Sequence, residues 1–165
     1  MDRAEQNAHL SKYYAEANRY MDNAKASLQK AGKNGSRYTD PKYVRTACGT
    51  AYNGVLIALD ALFVIKDVPE PNKKQRKSIK YYMSNVARID GKLTSDMDEA
   101  YTILHLDGYY SGITSVKVIE AGFDAAYNII EKIKPEQFVE VKETKGQGFK
   151  RVLNNLLVSA AVMCK

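Results

Sequence analysis

The segment from Pro41 to about Lys66 does most to limit what this chain can fold into. Val44, Ala47, Ala51, Val55, Ala58, Leu62 and Ile65 recur at spacings of three and four, which is one seam of a helix. Cys48, Tyr52, Leu59 and Phe63 make a second seam beside it. A helix that is apolar on more than one side has to be surrounded by other elements, so this one belongs at the centre of a bundle. Its small residues Ala47, Cys48, Gly49 and Ala51 let a neighbouring helix come close. Asp40 can cap its first amides, and Pro41 at the first helical position gives up no hydrogen bond it needed. Pro69 and Pro71 stop it and stiffen the connection that follows.

The flanking segments supply that cover. Leu10, Tyr14, Ala17, Met21, Ala24 and Leu28 put one apolar stripe on a first helix from about Asp2 to Ala31, and Gly32 to Ser36 reads as a solvated turn. A third helix is expected from Lys73 to Ile89, burying Ile79, Tyr82, Met83 and Val86. A fourth should be capped by Thr94 or Ser95 and reach Leu106, with Met97, Tyr101 and Leu104 inward, before a turn from Asp107 to Gly112. A fifth starts near Thr114 or Ser115 and ends before Pro135, facing the core with Val116, Ile119, Phe123, Ala126, Ile130 and Ile133. Phe149 to Cys164 reads as a last helix whose Val152, Leu153, Leu156, Leu157, Ala160 and Ala161 need covering, by the bundle or by a second subunit. The fold class expected is therefore all-α: an antiparallel, up-down bundle of about five helices over residues 1–134, with a C-terminal extension over 135–165.

A chain of 165 residues buries roughly 70% of its unfolded surface, enough for a core without staples. Cys48 and Cys164 lie in apolar surroundings with no second ligand at metal spacing, which suits free thiols in a reducing compartment. The polar N-terminus carries no signal-peptide core, and no stretch approaches 18 uninterrupted apolar residues, so a cytoplasmic protein without membrane contact is expected. The formal net charge is +6, and its distribution is uneven. Lys73, Lys74, Arg76, Lys77, Lys80, Arg88 and Lys92 stand against Asp90 alone, whereas Leu93 to Val116 has no Lys or Arg and includes Asp96, Asp98, Glu99 and Asp107. Neighbouring helices of opposite sign would neutralise each other; failing that, the basic run offers an anion-binding surface.

Catalytic material is sparse. With only His9 and His105, a three-histidine metal site within one chain is excluded, and no Glu-x-x-His pair of the di-iron bundles occurs. Gly146-Gln147-Gly148 lacks the strand and the Lys-Ser or Lys-Thr of a phosphate loop, so neither metal nor cofactor is expected. His105 is the residue to pursue. In Leu104-His105-Leu106-Asp107-Gly108-Tyr109-Tyr110 it can act as a general base oriented by Asp107 or by a hydroxyl such as that of Tyr109. It also suits a helix C-terminus, where the dipole favours the cation. Among twelve tyrosines, Tyr13-Tyr14, Tyr81-Tyr82 and Tyr109-Tyr110 form pairs; on a helix one ring can enter the core while its neighbour sits at the rim. Rings such as Tyr110 and cations such as Lys73, Lys74, Arg76, Lys77 and Lys80 could instead hold single-stranded RNA.

The order of elements, with Ala47-Cys48-Gly49-Thr50-Ala51-Tyr52-Asn53-Gly54 leading to Ala61-Leu62-Phe63-Val64-Ile65-Lys66-Asp67 and a His-bearing turn, resembles the HEPN superfamily of small all-α bundles over about Tyr13 to Lys134. Within it the chain is similar to domains of Bacteroidetes-type bacteria. The resemblance implies the bundle fold; in active members it also implies metal-independent RNA cleavage across a dimer by an Arg followed, after four to six residues, by a His. Carried onto His105, that Arg would fall at Asp98, Glu99 or Ala100, none of which is arginine; Arg3 and His9 fit the spacing but sit in the first helix. The expectation is accordingly a non-catalytic module that binds a protein or its own copy, with a ribonuclease or RNA-binding module using His105 as the alternative.

Overall fold

The computed structural model of the chain describes residues 1–71 and 76–135 and is an all-α bundle. Its elements are α1 (Arg3–Lys30), a hairpin of β1 (Lys33–Asn34) and β2 (Arg37–Tyr38), α2 (Pro41–Ile65), α3 (Ile79–Ile89), α4 (Gly91–Ala100), a π-helix (Tyr101–Ser111) and α5 (Val116–Glu131). The apolar stretch from Val152 to Ala161, Cys164 and all but the first residue of the expected extension over 135–165 lie outside the described residues, as do Lys73 and Lys74.

The central helix is as its two seams require. Val44, Ala47, Cys48, Ala51, Val55, Ala58 and Leu59 are fully buried, and α2 packs against α1, the π-helix and α5. Each large apolar side chain so placed contributes about 1.5–3 kcal/mol. By length and composition α2 could cross a membrane, with a mean hydropathy of 1.6, but 56% of that stretch is buried inside the bundle. Gly54 brings α1 in antiparallel: a Cβ there would meet the Ala17 carbonyl oxygen at 3.2 Å and Tyr20 Cβ at 3.3 Å. Asp40 caps α2 by accepting from the Lys42 amide, and Asp2 with Glu5 forms a reciprocal capping box on α1.

Four local expectations change. The solvated turn after Gly32 closes into the small hairpin, because the amide of Tyr38 donates to the Thr114 carbonyl (2.8 Å) and that of Val116 to Ser36 (2.9 Å). The hairpin thus holds the entry to α5, whose N-cap Ser115 makes no side-chain bond. The third helix starts at Ile79, capped by Ser78; residues 76–78 are not helical. The fourth starts at Gly91, not at Thr94 or Ser95, since the Asp90 carboxylate accepts from the amides of Lys92 and Leu93 and is held at 2.7 Å by Lys132. Finally, the turn expected from Asp107 is absent: α4 runs on into the π-helix as far as Ser111.

Candidate functional site

The π-helix decides the geometry around His105. Such helices bond i to i+5, are rare, and are mostly short bulges near functional sites. Here the wider turn stacks residues four and five apart. The His105 ring lies 5.4 Å from Tyr101 at 25° and 6.1 Å from Tyr109 at 18°, with Tyr110 edge-on at 5.0 Å. Tyr52 of α2 closes the set at 4.7 Å.

Close packing onto α2 holds this segment in place. A Cβ on Gly108 would run into Cys48, at 2.7 Å from its Cβ, and would meet the Ile103 carbonyl oxygen at 3.0 Å. One on Gly49 would meet the Tyr109 ring at 3.0 Å. The C-terminal end is capped from α2: Arg45 donates to the carbonyls of Tyr109 (2.8 Å), Tyr110 and Ser111 (3.1 Å). A guanidinium presents five donors in a fixed fork, so one residue satisfies three of the carbonyls that a helix end leaves unpaired. Gly112 then turns the chain away at φ 72°, with a hypothetical Cβ 2.6 Å from Arg45 Nη2. Arg45 escaped the sequence reading, in which no partner for it could be foreseen; the spacing of four from Tyr101 to His105 to Tyr109 was the visible signal of the ladder.

Apart from the Arg45 guanidinium, the groups packed around the ladder are held uncharged. Burial lowers the His105 pKa, so the imidazole is neutral near pH 7. This corrects the helix-dipole reading: His105 lies in the middle of the π-helix, and its surroundings disfavour the cation. Burial pushes the Tyr52 hydroxyl up to about 12 and the Cys48 thiol up to about 12, so neither ionises readily. Asp107 makes no hydrogen bond to His105; its backbone carbonyl instead accepts from the amides of Gly112 and Ile113. Of the three expected catalytic residues, His105 and Tyr109 are together, and Asp107 does not join them as an orienting group. Tyr110 joins the ladder as well.

The basic cluster is arranged differently. Arg76 and Lys80 are exposed, but Lys77 bonds Asp60 and Glu70, each at 3.1 Å. Burial pulls its pKa down and those two hydrogen bonds more than offset it, leaving a fixed ammonium. Its anchor, Asp60, is eight residues from Tyr52 along α2, about 12 Å of helix. Among the described residues, none of Arg76, Lys77, Lys80, Arg88 and Lys92 pairs with Asp96, Asp98, Glu99 or Asp107, so the two charged stretches do not neutralise each other by direct ion pairs. Nor does any group of three His, Cys, Asp or Glu among the described residues suit a metal ion.

What remains at the surface is apolar. Leu106 is 38% exposed, Tyr109 45%, Tyr110 62% and Ile113 36%, all within eight residues and beside a neutral histidine. Fold and site together define an all-α bundle with an exposed aromatic edge beside the Arg45 guanidinium. The chain belongs to the DUF5618 family, described as a domain of unknown function, which matches residues 12–135. A solved structure of a protein of unknown function from Dyadobacter fermentans is similar, at 38% identity and a TM-score of 0.69, over 75% of this chain and 95% of that one. No curated protein matches the chain.

Proposed function

We propose that the chain is a non-catalytic binding module whose docking face is the exposed edge of the π-helix, taking another protein or a second copy. The observation that carries this is the run of Leu106, Tyr109, Tyr110 and Ile113 at the surface, in a stretch from Leu93 to Val116 that has no Lys or Arg. Interface cores are depleted in charge and enriched in tyrosine, and tyrosine buries much area for little lost rotamer freedom. Asp98 and Glu99 are exposed along the same stretch, which favours a partner with a basic rim.

In a second reading, the ladder of His105, Tyr109 and Tyr110 stacks bases and His105 accepts a proton. The stacking of Tyr101, His105 and Tyr109 favours it. The cation it needs at a phosphate is not at hand, for Arg45 is committed to three carbonyls.

One pair of experiments separates the two. Light scattering over a range of concentrations and capture of partners should both register association by the wild type. Leu106→Ser/Tyr110→Ser should abolish it while leaving circular dichroism and melting unchanged. A wild type that stays monomeric and captures nothing the double variant fails to capture overturns the docking reading. Binding of single-stranded RNA at about 50 mM salt that weakens steeply with added salt, with cleavage in EDTA lost in His105→Ala, would put the nuclease reading in its place.

A further inference from the structure

A second concavity, sharing no residue with the docking face, lies where the end of α1, the hairpin and α5 meet. It is an open cleft of about 550 Å³, within the range of small-molecule sites. Its floor is aromatic: Tyr38, Phe123 and Tyr127, with Leu28 beside them. Tyr38 and Phe123 are core residues only 4% and 6% exposed, and the Lys33 ammonium lies over the Tyr38 ring at 5.3 Å, so the apolar surface open to a ligand is that of Tyr127 and Leu28 on a rigid base.

The rim carries four charges in two different conditions. Lys33 and Glu120 neutralise each other at 3.0 Å. Lys25 and Asp124 have no ion-pair partner among the described residues; the Lys25 ammonium lies over the Tyr127 ring, 4.6 Å from its centre. One cation and one carboxylate, neither in an ion pair, thus stand on the rim of an aromatic floor. A simple anion would meet Lys25 but be repelled by Asp124, and a simple amine would meet the reverse. A ligand with both charges and an apolar body satisfies all three features, and an amino acid the size of phenylalanine fits the volume. We propose that this cleft binds a free aromatic α-amino acid, its carboxylate on Lys25, its ammonium on Asp124 and its ring against Tyr127 and Leu28.

The test is a titration of the isotope-labelled full chain with L-phenylalanine, followed by amide NMR shifts. Saturable shifts confined to residues 25–38 and 120–127 are expected, with a Kd on the order of 1 mM. 3-Phenylpropionate and phenethylamine, each lacking one charge, should bind about tenfold more weakly, as should L-phenylalanine to Lys25→Met and to Asp124→Asn. Both substitutions are at exposed positions, so unchanged melting will certify the fold. Absence of shifts at about 20 mM, shifts mapping elsewhere, or equal binding of the two truncated analogues would overturn the proposal.

Discussion

Two tyrosine pairs of identical sequence come to opposite ends in this protein. In α3, the ring of Tyr82 is buried and stacked on Phe63 at 5.8 Å, while Tyr81 meets the same phenylalanine edge-on at 5.7 Å. Both hydroxyls are satisfied, Tyr82 donating to Asp60 at 3.0 Å and Tyr81 to the Pro69 carbonyl at 3.3 Å. At the end of the π-helix, Tyr109 and Tyr110 are both exposed and contact each other at 5.1 Å. Their hydroxyls have no hydrogen-bond partner among the described residues, although Arg45 takes their backbone carbonyls. Backbone geometry makes the difference. The tight turn of α3 sends one ring inward and its neighbour to the rim; the wide turn of the π-helix rests both rings on His105, and Tyr109 on Gly49 as well, and leaves their other sides in solvent. A pair held by hydroxyl bonds and burial serves stability, and a pair packed on one side only is free to serve recognition.

The largest effect expected from that contrast is on stability. Truncating Tyr82 to Ala removes a buried ring and strips Asp60 of a donor, and should cost about 3–5 kcal/mol. Tyr110→Ala should stay within about 0.5 kcal/mol, as surface substitutions do. Urea unfolding of the two variants measures both. A Tyr110→Ala protein as unstable as Tyr82→Ala would break the comparison, because the exposed ring would then be structural.

A smaller effect tests what keeps the second pair outside. Gly108→Ala forces a methyl against Cys48 and the Ile103 carbonyl, and overpacking of this kind costs about 1–3 kcal/mol. Removing the sulfur with Cys48→Ala should recover part of that loss, giving a coupling of about 0.5 kcal/mol or more in a double-mutant cycle. Strict additivity would show that Gly108 is not where the π-helix rests on α2, and the placement of Tyr109 and Tyr110 would need another cause.

The bundle was legible because its signals are local and periodic. The two seams of α2, the Asp40-Pro41 start and the core face of α5 all follow from spacing alone, and all are observed. The fourth helix was misread for a physical reason. Asp90-Gly91 carries the composition of a break, and only the Lys132 contact from α5 shows that Asp90 ends one helix and caps the next. The π-helix was invisible for a similar reason, since its residues spell a turn and its maintenance depends on Arg45, more than sixty residues away in sequence. His105 was found from its chemistry, but its neutral state comes from burial by rings on two elements, one of them Tyr52 of α2. The cleft at the end of α1 joins three segments that sequence cannot bring together.

The smallest effect is a pH dependence, and it bears most directly on whether the rings of the aromatic edge bury His105. The folded pKa of His105 lies below its unfolded value of about 6.5, because burial disfavours the cation. Between those two values the unfolded chain binds more protons than the native one, so stability rises with pH there. The contribution is fully present above about pH 6.5 and is lost as pH falls through the folded pKa. Glu131 and Asp90 also weaken the fold in acid, since Glu131 is held ionised by Tyr14 and Lys134 and Asp90 by Lys132 and the amides of its cap. Their pKa values sit below the ordinary carboxylate range, and they are present in the wild type and in His105→Phe alike, so they cancel when the two are compared. Between about pH 7.5 and pH 5 the wild type should therefore lose more unfolding free energy than His105→Phe. Parallel curves would mean that His105 titrates as it does in the unfolded chain, and the rings around it would then not be burying its imidazole.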